Sequence, residues 1–482
     1  MKKFRVRCAP SPSGQIHIGN AKTFLFNYLF SRKYDADFIL RIEDTDTARV
    51  VLGGAEKLLA ELKWLGLAPT MGWGTDNCPA GNYTQMGRLP VYKKYVDDLL
   101  NKGLAYKCYC TEQQLNSERE KAIVANPKAP YKYPGTCRTV GDLDKPYVIR
   151  FKAPTDGSTS FEDIAFGSRQ VPNKENYDFV IFRQNGIPLF NFANCIDDLA
   201  IDGITHVIRG SDHLKNTPQQ VMLTDALGFE RPAYCHLPML LNAAGGKLSK
   251  RDGSVSVAEY REMGYTPAGI LNYLVRFGWG HKNQEVFSMD ELVSLFDIHD
   301  CGKNDGKFDP KKFAAIQYEH LKSQTLTPDE DYVALLFPFL IDKGYLASHK
   351  GTLSSADKNT ILRALPLIRS RAKTLMEAAD EMMIFLQDVV VADKQYADCG
   401  VDRKQAESII TAIESTGEWN ADNVRHSVNG WLTEKDLKLK DIGVFLRLAL
   451  TGRERSPELF QVAAGLARAK SLNRLHGAAR RL

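Results

Sequence analysis

The segment FRVRCAPSPSGQIHIGNAKTFLFNYLFSRKYDADFILRIED, Phe4 to Asp44, reads as strand, helix, strand. FRVRCAP is a short strand that leaves through the tight turn Pro-Ser-Pro-Ser-Gly. GNAKTFLFNYLFSRK carries Phe24 with Tyr28 and Leu25 with Leu29 at i, i+4 spacing, a helical pattern, and DFILRIED is a second strand. Two strands joined by a helix at this spacing predict a parallel crossover. His17 to Asn20 fall at the helix start, where unpaired N–H groups and the helix dipole favour an anion. Gly19 lets a flat ring or a phosphate approach the backbone, and His17 can donate to a phosphate oxygen.

Working outward, the same pattern returns in the second half of the chain. THVIRG is a strand, NTPQQVMLTDALG a helix opened by Asn216, Thr217 and Pro218, and AYCHLPML another strand. Between the two α/β halves, from about Gly81 to Pro188, lie a Cys-rich patch and the Gly/Asp-rich FKAPTDGSTSFEDIAFG. That stretch predicts an inserted domain. After about Gly245 the chain turns mainly helical, with helical periodicity dominant from Leu326 on. The segment after Glu458 holds no acid but carries Arg468, Lys470, Arg474, Arg480 and Arg481, which suits either phosphate contacts or an exposed basic helix.

The totals bound these readings. A chain of 482 residues, 44% hydrophobic and 25% charged, is globular and long enough for several cores. The net charge of +5 suits a polyanionic partner without requiring one. Nine cysteines, most of them scattered singly, argue for a reducing, cytosolic setting. The basic N-terminus lacks the apolar core of a signal peptide, since Pro10, Pro12 and Gly14 interrupt it. The most apolar run, VALLFPFLI, is too short to span a membrane.

A second motif joins the first. AAGGKLSKRDG, Ala243 to Gly253, sets Lys247 and Lys250 three apart on a loop hinged at Gly245 and Gly246. Two mobile cations suit a pyrophosphate leaving group, whose oxygens gain charge as the bond breaks. The loop follows the last strand of the second α/β half. In open parallel sheets, ligands bind at the carboxyl ends of the strands near the switch point, where both motifs can meet over one nucleotide.

HIGN and KLSKR together resemble the two signature motifs of class I aminoacyl-tRNA synthetases. APSPSGQIHIGNAKTFLFNYLFSR, LRIEDTD, HVIRGSDHLKNTPQQ and LRLALTGRERSPELF are similar, in order, to bacterial-type glutamyl-tRNA synthetases. The resemblance implies an α/β fold: a Rossmann-type parallel sheet with an inserted α+β acceptor-binding domain, then an all-α anticodon-binding part. The expected boundaries are 1–80 and 189–244 for the two catalytic halves and 81–188 for the insert. Residues 245–325 form a signature-loop and stem-contact region, and 326–482 the helical part. The implied reaction is ATP-dependent activation of L-glutamate to an adenylate, then transfer to the 2′-hydroxyl of the terminal tRNA adenosine.

A glutamate ligand carries two carboxylates and an ammonium, so its pocket needs guanidinium forks and one anion. Arg7, Arg209 and Glu43 all follow strands to one sheet edge. By resemblance Arg7 and Arg209 hold the carboxylates and Glu43 the ammonium, while Ala9, Ser11 and Asn194 complete the pocket. Phe190 belongs to it too, where the family usually has tyrosine. The ATP site implied by the resemblance is His17, Gly19, Asn20, Asp212, His213, Lys247, Ser249 and Lys250, with His17, Lys247 and Lys250 serving catalysis. Ser211 stands where the family usually has an acid.

In the insert, KCYC places Cys108 and Cys110 one residue apart, and YPGTCR places Tyr133 and Cys137 four apart. Soft thiolates so clustered suit tetrahedral zinc. The Tyr-x-x-x-Cys half resembles a family variant in which tyrosine is the fourth ligand; other relatives use a histidine where this chain has Thr139. A structural Zn2+ is therefore expected. The expected partners are ATP with Mg2+, L-glutamate and tRNA(Glu), acting on a monomer. Rival readings are an enzyme that also charges tRNA(Gln), a glutaminyl-tRNA synthetase, and a non-catalytic RNA-binding paralogue.

Overall fold

The computed structural model describes residues 3–79, 81–127, 131–248, 256–346, 352–454 and 458–482. They fall into two compact units, Met1–Tyr260 with Ile270–Pro310, and Arg261–Gly269 with Lys311–Leu482. In the first unit β1 (Arg5–Cys8), β2 (Asp37–Leu40) and β3 (Met71–Gly72) form a parallel sheet in that order. Arg5 pairs with Asp37 and Cys8 with Leu40. The crossover helix α1 (Ile18–Lys33) buries Phe24, Leu25, Phe26, Leu29 and Phe30. It is enclosed on most sides, as a helix apolar around its circumference must be.

The chain then builds α2 (Gly54–Trp64), α3 (Leu89–Asn101), β4 (Ala105–Cys108) and α4 (Glu112–Ala125). Next come β5 (Val148–Phe151), a hairpin of β6 (Ser158–Asp163) and β7 (Gly167–Pro172), and β8 (Val180–Phe182). After α5 (Phe190–Cys195) the second α/β half follows as β9 (His206–Gly210), α6 (Thr217–Leu227) and β10 (Ala233–Leu237). Pro218 in the first turn of α6 and Gly228 at φ 73° after it start and stop that helix. β9 and β10 pair in parallel, with Ala233 opposite His206. β9 runs beside β1, where Thr205 N donates to Arg5 O at 3.0 Å. The sheet thus reverses its strand order between β1 and β9, the crevice position at which open α/β sheets bind ligands.

The stretch between the halves is not one body. β4, β5 and β8 make a separate antiparallel sheet, whereas β6 lies in the order β7-β6-β10-β9. Asp163 pairs with Tyr234, and Ile164 N donates to Tyr234 O at 2.8 Å. So the β6 part of FKAPTDGSTSFEDIAFG, assigned by sequence to the insert, is a strand of the catalytic sheet, with β7 at its edge. The sequence contains no local signal for this, because the pairing joins residues far apart in the chain.

The second unit is helical from Pro310–Lys322 to Arg468–Ala479 among its described residues, around a core that includes Tyr332, Leu336, Ile361, Met382, Phe385, Ile409 and Phe445. It takes in residues from Lys311, ahead of the expected border at 326. The basic C-terminal segment exposes Arg468, Arg480 and Arg481, while part of its charge is engaged within the unit. Lys470 donates to Phe385 O at 2.9 Å, and Arg474 to Leu450 O and Gln387 O at 2.5 Å each. Arg468 reaches Glu414 O at 2.6 Å. These carbonyls end other helices, where cations offset the dipole and satisfy orphan acceptors.

Candidate active site

A cavity of about 490 Å³ opens at the carboxyl ends of β1 and β9. Arg7, Ala9 and Ser11 reach it from the end of β1, and Glu43 from just beyond β2. His17, Gly19 and Asn20 line it from the start of α1, and Phe190 and Asn194 from α5. Arg209 ends β9, Asp212 and His213 follow on the 3-10 turn Ser211–Asn216, and Lys247 closes the rim. All the expected ATP and glutamate residues that are described therefore meet in one cavity. The expected Ser249 and Lys250 lie outside the described residues.

His17 caps α1. Its Nδ1 accepts from Gly19 N at 3.1 Å, so the neutral ring carries its proton on Nε2. Burial, then the charge of Lys247, lowers its pKa. Lys247 is 75% exposed and stands 3.7 Å from Asp212, a long, solvated contact that leaves the ammonium mobile. Phe190 stacks on His213 with ring centroids 5.2 Å apart. Burial, with Arg209 and Arg7 nearby, drives His213 down to about 4, so it is neutral at pH 7.

The two arginines are held rather than free. Arg7 Nε donates to Asp198 at 3.1 Å and Nη1 to Ile208 O at 3.3 Å. Arg209 donates through Nε to His236 at 3.0 Å and through Nη2 to Thr217 at 2.9 Å. Burial, then the charge of Arg7, pushes Arg209 down to about 10, still cationic at neutral pH. Two neighbouring guanidinium groups in a low-dielectric cavity call for an anion between them. Burial raises the pKa of Glu43, against the pull of Arg41.

Beneath the cavity lies a polar network that the sequence reading missed. Arg41 is fully buried; its Nη1 donates to Asp198 at 2.7 Å and Asp202 at 2.9 Å, and its Nη2 to Asn194 at 2.9 Å and Glu43 at 3.2 Å. Arg88 forks onto Asp197 at 2.8 Å and Asp202 at 2.7 Å, and Tyr92 adds a bond to Asp197 at 2.8 Å. Asp197 and Asp198 sit on the π-helical turn Ile196–Ile201, a helix defect frequent at functional sites. The signal was present in NCIDDLAID: acids amid apolar residues of a buried helix require buried cations. Lys22, also missed, lines the cavity and donates to Pro238 O; burial pushes it down to about 8.

In the insert, Cys108, Cys110 and Cys137 present sulfurs within 4.8 Å of one another. Cys110 and Cys137 are 3.5 Å apart, and Tyr133 Oη lies 3.4 Å from Cys108 and 3.5 Å from Cys110. Sulfurs on one tetrahedral zinc are about 3.8 Å apart, given Zn–S bonds near 2.3 Å. The donor set and its spacing fit that ion. Phe190 also lines a second cavity of about 620 Å³, beside Arg119, Tyr131, Tyr133 and Arg150 of this region.

A Rossmann-type sheet with His17 at a helix start and with Arg7, Arg209 and Glu43 lining one cavity at the strand ends points to a class, and comparison with known proteins agrees. The family model for the catalytic domain of class I tRNA synthetases (E and Q) matches residues 3–315, and one for an anticodon binding domain matches 331–479. Proteins named glutamate–tRNA ligase from Syntrophotalea carbinolica and Geobacter sulfurreducens are 39% and 37% identical to this chain, with 100% and 99% of each sequence covered. A crystal structure of a glutamate tRNA ligase from Elizabethkingia meningosepticum, in complex with its amino acid, superposes with a TM-score of 0.82 at 28% identity, covering 99% of both chains. The chain belongs to the glutamate–tRNA ligase family of class I aminoacyl-tRNA synthetases.

Proposed function

We propose that this chain activates L-glutamate with ATP and transfers it to the 2′-hydroxyl of the terminal adenosine of tRNA(Glu). The observation that carries the reading is that Arg7, Arg209 and Glu43 line one cavity, which also holds the N-terminus of α1. Arg7 and Arg209 take the substrate's carboxylates and Glu43 its ammonium. The α-carboxylate attacks the α-phosphorus of ATP and pyrophosphate departs, with His17 donating from Nε2 to phosphate oxygens and Lys247 neutralising the leaving charge. ATP enters as its Mg2+ complex. The tRNA hydroxyl then attacks the activated carbonyl and AMP leaves. Phe190 lines both this cavity and the second one, whose exposed Arg119 suits an approaching phosphate backbone.

ATP–pyrophosphate exchange with glutamate or glutamine, each with and without total bacterial tRNA, tests the reaction. Glutamate-dependent exchange is expected, and the family resemblance points to a requirement for tRNA. Exchange with glutamine alone would transfer the assignment to a glutaminyl enzyme, and none from folded protein would favour the RNA-binding paralogue. We further propose a structural Zn2+ on Cys108, Cys110, Cys137 and Tyr133. Protein purified without added zinc is expected to hold about one zinc per chain by elemental analysis, and Cys110→Ser to lose it. Sub-stoichiometric metal with unchanged folding after chelation would remove that site.

A further inference from the structure

Arg209 is aimed by a chain of hydrogen bonds that begins in the β6–β7 hairpin. Asp163, fully buried, receives on Oδ1 the backbone N–H groups of Phe166 at 2.9 Å and Ala165 at 3.1 Å. Its Oδ2 lies 2.6 Å from His236 Nδ1 and also accepts from His236 N at 3.1 Å. A carboxylate can only accept, so Nδ1 of His236 carries the proton. Nε2 of the same neutral ring is then an acceptor, and Arg209 Nε donates to it at 3.0 Å. Burial lowers the pKa of His236, which keeps the ring neutral in this role. With Nη2 on Thr217, Arg209 has its Nη1 edge unengaged among the described residues, at the cavity wall.

We propose that Asp163 and His236 are positioning residues for substrate recognition: Asp163 holds His236 in the Nδ1–H tautomer, and the resulting Nε2 acceptor turns Arg209 toward the anionic group of the amino acid. This rests on the reading of Arg209 as a ligand of a glutamate carboxylate. The arrangement makes a specific demand on Asp163. Its charge matters through what it dictates to the ring, since an amide of the same shape can impose the opposite tautomer.

Asp163→Asn tests this directly. The amide oxygen takes the Oδ1 place, where Ala165 and Phe166 donate, so the amide nitrogen faces His236 Nδ1. His236 Nδ1 must then accept from the amide, the proton moves to Nε2, and two donors confront each other between His236 and Arg209, so that Nε2 is drawn instead to Thr217 Oγ1, 3.2 Å away. In aminoacylation of total bacterial tRNA, the KM for glutamate is expected to rise at least about ten-fold while the KM for ATP stays within about two-fold. 15N NMR of histidine-labelled protein is expected to show one ring exchanging its protonated nitrogen. Because the variant could fail to fold, His236→Gln and His236→Leu supply a second test: the glutamine keeps an acceptor toward Arg209 and is expected to retain most of the glutamate affinity that the leucine loses. Equal losses in those two, or an unchanged glutamate KM in folded Asp163→Asn, would overturn the proposal. Arg209→Lys separates the two levels. If it leaves the glutamate KM unchanged, the reading of Arg209 fails; if it raises the KM while the Asp163 and His236 variants do not, only the tautomer link fails.

Discussion

Glu43 stands in a charge balance that a bound ligand completes. The guanidinium groups of Arg7, Arg41 and Arg88 face the carboxylates of Glu43, Asp197, Asp198 and Asp202, three cations against four anions. Burial raises the pKa of Glu43, as it does that of Asp197, and Glu43 is the one of the two that lines the cavity, where on the proposed reading an amino acid's ammonium relieves it. Glu43→Gln is expected to raise the glutamate KM roughly 10–100-fold with little effect on the KM for ATP, checked by steady-state kinetics. Lys247 is a contrasting case. It is exposed and, among the described residues, ion-paired at 3.7 Å with Asp212, so Lys247→Ala is expected to leave the melting temperature within a degree or so. The same variant is expected to cut kcat about 100-fold or more while the KM for ATP changes little, since its charge is needed most as pyrophosphate leaves. Equal losses in kcat and ATP affinity would deny it that role.

At the scale of elements, the π-helical turn Ile196–Ile201 explains why Asp197 and Asp198 can face the arginines while Phe192, Ala193 and Ile196 pack into the core. Its extra residue shifts the following side chains around the helix relative to an α-helical path. Deleting one residue of the turn, Leu199 for example, regularises the helix but rotates the residues after it by about 100°. The expected result is a chain several degrees less stable by calorimetry, with no measurable aminoacylation. Elements of this size were largely legible beforehand: β1, α1, β2, β9, α6 and β10 each announce themselves by local period and by their Pro and Gly punctuation. Most of the cavity residues were legible as well, His17, Arg7, Arg209 and Glu43 from their places at a helix start and strand ends, and Ala9, Ser11, Asn194, Asp212 and His213 only through the family resemblance, while Lys22 was not. Arg41 and the acids of the π turn were not, since their pairing joins residues more than 150 positions apart in the chain. Asp163 was not, because its role depends on a strand pairing that no local window contains.

Over the whole molecule, the two units have separate cores, and a full-chain calorimetric scan is expected to resolve two transitions. They can be told apart by pH. Burial drives His320 of the second unit down to about 4. The unfolded chain, with an ordinary histidine near 6.5, therefore binds more protons than the folded one between those values, and stability rises with pH across that window. Going from pH 7 to pH 4 is expected to cost the second unit on the order of 2–3 kcal/mol from this residue alone. His320→Leu is expected to flatten the pH slope of one transition and leave the other as it was; an unchanged slope would reject the assignment. The β6–β7 hairpin bears on a different question, that of modularity. The chain leaves the β4–β5 sheet, gives the two strands β6 and β7 to the catalytic sheet, and returns to supply β8. A transplant cut at residues 81 and 188, where the sequence suggests a detachable cassette, would import a foreign partner for His236 along with the graft. Swapping within residues 105–157 would leave that partner native. The insert is stitched into its host, and exchange between relatives is constrained by the stitch rather than by the borders.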